Sequence, residues 1–78
     1  LGTTVDLLKI GEKAIINHVD LDKIPMKLLE MGCLPGNELE VIQIAPFGDP
    51  IYLNVNNGSH LAIRMETAHE IEVELIVK

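Results

Sequence analysis

Aromatic side chains are nearly missing from this chain of 78 residues, which has one Phe, one Tyr and no Trp. Its core must therefore be built from Ile, Leu and Val, whose branched side chains suit a pleated, half-buried surface. A ring-lined groove for proline-rich peptides is disfavoured for the same reason, since only Phe47 and Tyr52 could line it. The single cysteine, Cys33, cannot close an internal disulfide, so no oxidising compartment is implied and a cytoplasmic location is expected. Basic residues are scarce too, with 6 Lys and Arg against 12 Asp and Glu and a formal charge of −6. A nucleic-acid partner would be gripped through clustered cations, and that class is set aside. No apolar run approaches the roughly 18–20 residues needed to span a bilayer, and no basic start leads into a signal-peptide cleavage site, so membrane insertion is not expected.

What the chain does have is aliphatic alternation punctuated by Gly and Pro. At this length residues 1–78 make one domain, which buries only about 60–65% of its unfolded surface. Gly32-Cys33-Leu34-Pro35-Gly36 follows Lys27-Leu28-Leu29-Glu30-Met31, so Gly32 stands where a helix needs a left-handed residue to stop, and Pro35 prevents its resumption. Gly36 gives a second permissive position before a strand over Glu38–Ile44. In Pro46-Phe47-Gly48-Asp49-Pro50 two residues lack backbone donors, which marks an exposed turn or wide loop.

Five strands and one helix are predicted. The run Lys13–Val19 reads as a strand, and Asp20 or Asp22 offers a helix N-cap with Pro25 in the first turn. In the strand after Gly36, Leu39 and Val41 fall on one face and Ile42 and Ile44 on the other, which calls for a bulge or burial on both sides. Ile51–Val55 alternates cleanly and should pair antiparallel with His60–Arg64 across Asn56-Asn57-Gly58-Ser59, where Asn57-Gly58 tolerates positive φ. One helical turn over Glu66–Glu70 leads into a last strand marked by Ile71, Val73, Leu75 and Val77. Short strands with frequent turns fit a mainly β fold: a small SH3-like five-stranded barrel, with one short α-helix between its first two strands and a single helical turn before its last.

Chemistry is hard to find. Cys33 and Ser59 both sit in turns with no base or orienting group nearby in sequence, so no catalytic residue is assigned and Cys33 reads as a small core hydrophobe. His18, His60 and His69 never fall at ligand spacing. Glu66 and His69 are the weak metal candidates, and no cofactor is expected. A binding module remains. Ile24, Met26, Leu28, Leu29 and Met31 form an apolar stripe next to Lys23 and Lys27 on a helix too short to stand alone. Leu28 and Leu29 are expected mainly to cap an open end of the barrel. Met26, Lys27, Leu29, Met31 and the turn residue Phe47 are the candidate partner-binding residues. Gly32, Pro35, Gly36, Pro46, Gly48, Pro50 and Gly58 are the structural turn residues.

The order of these signals resembles the FeoA family, the small SH3-like accessory proteins of bacterial ferrous iron uptake. The likeness is carried by Leu28, Leu29, Met31-Gly32, Pro35-Gly36, Ala45-Pro46, Gly48-Asp49-Pro50-Ile51, Leu61-Ala62-Ile63-Arg64, Ala68, Ile71 and Val73, over roughly residues 7 to 75. It implies a cytosolic, non-enzymatic adaptor that docks on the cytoplasmic side of a FeoB-like membrane iron transporter and modulates it. Such a domain occurs free or fused to the transporter, and a chain that starts at Leu1 fits either. The family's transition-metal label finds little support in these residues. An alternative from the same fold is the C-terminal regulatory domain of an iron- or manganese-dependent transcriptional repressor, where Glu66 and His69 would complete a site supplied by another domain. Weak self-association through an unpaired edge strand is also left open.

Overall fold

The computed structural model describes residues 2–76. One antiparallel sheet of six strands carries the fold, in the order β1-β6-β2-β3-β4-β5. The strands are β1 Gly2–Thr4, β2 Lys13–Val19, β3 Glu38–Ile44, β4 Ile51–Val55, β5 Ser59–Ile63 and β6 Ile71–Leu75. Helix α1 is Met26–Glu30 and helix α2 is Met65–Ala68, with a single 3₁₀ turn at Val5–Leu7. The mainly β, SH3-like expectation stands, with a sixth strand added. Gly2-Thr3-Thr4 is too short and polar to show alternation, and it becomes a strand only because β6 offers it a ladder, Thr3 opposite Val73. The ladder is not closed between β1 and β5 among the described residues. Val77, expected in the last strand, lies outside the described residues.

The inward faces behave as the alternation requires. Ala14, Ile16, Leu39, Val41, Ile51, Leu53, Val55, Ile71 and Val73 are all buried, and among the described residues no polar or charged residue is. The conflict in β3 is resolved by a bulge. Val41 pairs with Leu53 and Gln43 with Tyr52, so Ile42 is the extra residue and turns outward, 44% exposed. A second bulge, at Asn17 between Ile16 and His18 in β2, has no counterpart in the sequence pattern.

Helix α1 ends as predicted and begins differently. Gly32 has φ +103°, the Gly32 amide donates to the Leu29 carbonyl at 3.1 Å and the Cys33 amide to the Leu28 carbonyl at 3.0 Å. This pair of bonds is a Schellman termination, closed by the buried Leu28 and Cys33. At the other end neither Asp20 nor Asp22 caps α1. Asp20 instead accepts from the Asp22 amide at 3.0 Å and, through its carbonyl, from Lys23 and Ile24. That local turn uses up the Asp side chain before the helix starts, and Pro25 takes the N-cap position with no side-chain cap of its own. In the β4–β5 hairpin the positive φ values fall on Asn56 and Asn57, at 53° and 56°, rather than on Gly58. Val55 pairs with Ser59, so β5 starts one residue earlier than the sequence suggested.

A side chain at position 32 would have to adopt the left-handed region with its Cβ 3.4 Å from Val55 Cγ1. Gly32→Ala should therefore lower stability by about 1–2 kcal/mol, seen as a lower urea midpoint at unchanged m-value.

Candidate functional site

The loop from Ala45 to Pro50 is short and braced. The Gly48 amide donates to the Ala45 carbonyl at 2.7 Å, and the Ala45 amide donates to the Pro50 carbonyl at 3.0 Å. Asp49 ties the loop to the start of α2: its Oδ1 accepts from the Met65 amide at 3.0 Å and its Oδ2 from Arg64 Nε at 3.2 Å. Gly48 has φ +85°, and a Cβ added there would lie 3.5 Å from Met65 Cε. Asp49 thus satisfies a helix-start amide that Arg64, at the N-cap, leaves free. The peptide bond before Pro50 is cis. Out of this brace projects Phe47, 99% exposed. Asp49→Ala should cost about 0.5–2 kcal/mol, mostly from the lost helix-start bond, since an exposed ion pair adds at most about 1 kcal/mol. Thermal unfolding of the variant checks this.

The α1 candidates divide by burial. Met26 is 70% exposed and Lys27 is also exposed, whereas Met31 is half-buried and Leu29 packs partly against the core beside the buried Leu28. The turn that follows α1 is anchored at the far end of the β3–β4 ladder from Phe47. Asn37 Nδ2 donates to the Gly32 carbonyl at 2.8 Å, and Glu38 and Asn56 exchange bonds at 3.2 and 2.8 Å. That ladder runs from Leu39 opposite Val55 to Ile44 opposite Ile51, roughly 13–17 Å at the rise of a strand. The structure therefore sets the sequence candidates apart, with Phe47 beyond one end of the ladder and Met31, next to Gly32 at the close of α1, near the other.

Of the weak metal candidates, Glu66 lies in α2 and His69 at its C-cap, and among the described residues they gather no third ligand. Glu66 is exposed, while His69 Nδ1 lies 3.2 Å from Asp6 Oδ2 on the 3₁₀ turn, and Thr4 Oγ1 donates to the other oxygen of Asp6. Among the described residues no three His, Cys, Asp or Glu side chains come together as a metal-holding group. His18 sits in β2 opposite Glu72, and His60 in β5 opposite Asn54, on separate parts of the sheet. Cys33 is fully buried, and burial pushes its thiol pKa up. Above about pH 8.5 an unfolded chain would ionise this thiol while the folded one keeps its proton. The folded state then binds more protons, so stability should fall as pH rises through that range, by at most about 1.4 kcal/mol per pH unit. Cys33→Ala should lose that slope, as a comparison of melting temperatures between pH 7.5 and 9.5 would show.

The chain is thus a small SH3-like β domain with an exposed aromatic on a braced loop. The chain belongs to the FeoA domain family, whose model matches residues 3–75. It is 39% identical over 70 residues to the Fe(2+) transport protein A/Fe(2+) transporter FeoB fusion protein of Porphyromonas gingivalis (strain ATCC BAA-308 / W83). That match takes in 88% of this chain, which spans only 8% of the length of the fusion protein. Among solved structures, the FeoA protein of Chlorobium tepidum superposes with a TM-score of 0.85 at 30% identity, over 96% of this chain and 71% of that one. The FeoA of Stenotrophomonas maltophilia, described as a procaryotic SH3 domain protein and solved with zinc, gives 0.75 at 26% identity, over 92% and 89%. The T. acidophilum IdeR shares the fold alone, with a TM-score of 0.80 at 19% identity over 96% of this chain and 34% of its own. No helix among the described residues is long and apolar enough to cross a membrane.

Sequence reading missed several exposed apolar side chains: Leu7, Ile10, Leu21, Leu34 and Ile42. The alternation did place Tyr52 on the wet face of β4, but Ile42 needed the position of the bulge, and the others lie in turns where no periodicity operates.

Proposed function

We propose that the chain is a non-enzymatic adaptor of ferrous iron transport that docks from the cytosolic side on a FeoB-like membrane transporter and modulates it, with the Phe47 loop as its main contact. The observation that carries this reading is the placement of the only Phe. Burying a side chain of that size is worth about 1.5–3 kcal/mol, and in a domain this poor in aromatics the fold leaves that gain unused. The brace around it matters equally. A loop held by Asp49 at α2 and by its own backbone bonds has little conformational entropy to lose when Phe47 enters a pocket on a partner.

Met26, Lys27 and Met31 supply a second contact of mixed apolar and basic character, separated from the first by the length of the β3–β4 ladder. Leu29 adds little, because much of it already packs against the core. The fused Porphyromonas relative supports the choice of partner, since it joins the two kinds of segment in one polypeptide. Calorimetric titration of the chain into a purified cytosolic domain of a FeoB-like transporter should give saturable binding. An absence of heat and of co-elution at about 100 μM would remove this reading.

A further inference from the structure

The sheet leaves one flank uncovered. Among the described residues β5 is paired with β4 on one side and with no strand on the other. Edge strands are usually blunted by Lys, Pro or inward charges. Ser59-His60-Leu61-Ala62-Ile63 has no Pro, no Lys and no carboxylate. In a chain of charge −6 it is an edge that a second copy can approach without setting carboxylate against carboxylate. The opposite edge, β1, borders β6 with its Glu72 and Glu74.

Beside β5 runs a shallow groove of about 360 Å³, lined by Ile42, Gln43, Tyr52, His60, Leu61 and Ala62. Register explains its shape. Gln43 lies opposite Tyr52 and Tyr52 opposite Ala62, so this row across the sheet drops from large side chains to a single methyl at the edge. The outward turn of Ile42 at the bulge raises the other wall.

We propose that β5 pairs antiparallel with β5 of a second copy about a twofold axis at Leu61, giving a weak dimer. In that register Leu61 meets its symmetry mate, and each half-buried side chain covers the other. His60 of each copy stands opposite Ala62 of the other. It extends the row of Gln43, Tyr52 and Ala62 with an imidazole that fills the groove. Ser59 meets Ile63, and edge amides and carbonyls that would face water gain partners. A contact one strand wide is small, so the dissociation constant falls in the range of hundreds of micromolar. Both bodies carry −6, and salt screens that repulsion without weakening an uncharged contact, so added salt strengthens the dimer.

This proposal is independent of the docking role. Sedimentation equilibrium of the chain from about 10 μM to 1 mM tests it, at low salt and at about 0.5 M NaCl. The weight-average mass should rise from 8.6 kDa toward twice that value with concentration, and further at high salt. Ala62→Lys and, separately, His60→Lys should each return it to the monomer at every concentration. Both positions are exposed, and circular dichroism confirms that the variants fold. Filtered NOE spectra of a mixed labelled and unlabelled sample should connect the Leu61 methyls of the two copies. A mass fixed at 8.6 kDa, a dimer indifferent to both Lys variants, or a β5 edge that is protected only when the transporter domain is added would overturn the proposal.

Discussion

Phe47→Ala is expected to weaken binding to the cytosolic domain of a FeoB-like transporter by about 10- to 50-fold while leaving the melting temperature unchanged. The two halves of this expectation have separate origins. Phe47 is 99% exposed, so the folded state loses almost no contact when the ring is removed, and the stability change should stay within about 0.5 kcal/mol. The bound state loses an aromatic anchor presented on a loop that hydrogen bonds have already ordered, and anchors of that kind carry about 2 kcal/mol or more of interface energy. Met26→Ala should cost less, because a flexible thioether gives up more rotamer freedom for the area it buries. Loss of affinity with Met26→Ala and none with Phe47→Ala would move the main contact to α1.

The largest effect on stability is expected from Leu53→Ala. Leu53 is completely buried in β4, between Val41 on one neighbouring strand and Leu61 on the other. Truncating it removes the transfer energy of the deleted atoms and leaves a cavity, together about 2–5 kcal/mol. A domain of 78 residues has roughly 4–12 kcal/mol in all, so the variant should melt on the order of 15 °C lower or fail to fold at growth temperature. Ile42→Ala is the control within the same sheet. It removes a similar aliphatic from β3, but the bulge points that residue to water, and its cost should stay near 0.5 kcal/mol. Equal losses from the two variants would mean that Ile42 packs inward in solution.

The contrast between Leu53 and Ile42 also shows how far the sequence could be read. Alternation alone put Leu53, Val41 and Ile71 inside, and the opposed faces of Leu39–Val41 and Ile42–Ile44 announced an irregularity in β3. Gly32 and Gly36 marked left-handed positions correctly, because helix termination is a local event with a local residue requirement. What failed to show were features made by tertiary pairing. β1 exists only through β6, and the start of α1 was misplaced because Asp20 closes its own turn instead of capping the helix. At the proposed docking site, Phe47, Met26 and Met31 were each legible as apolar side chains in excess of what the core can hide. Their separation by the β3–β4 ladder was not, since nothing in the order of residues says that the two lie at different ends of one pair of strands. The pairing of His69 with Asp6 joins residues 63 positions apart, and it was equally out of reach.

Docking is distinguished from metal handling by an anaerobic NMR titration of the labelled chain with Fe²⁺ and, separately, with the cytosolic domain of a FeoB-like transporter. If the domain docks, the transporter domain should shift resonances across Ala45–Asp49, with a second group at Met26–Met31, while Fe²⁺ should leave His18, His60, His69 and Glu66 unbroadened. Saturable broadening of a compact set of His and Glu resonances by Fe²⁺, with no response to the transporter domain, would contradict docking.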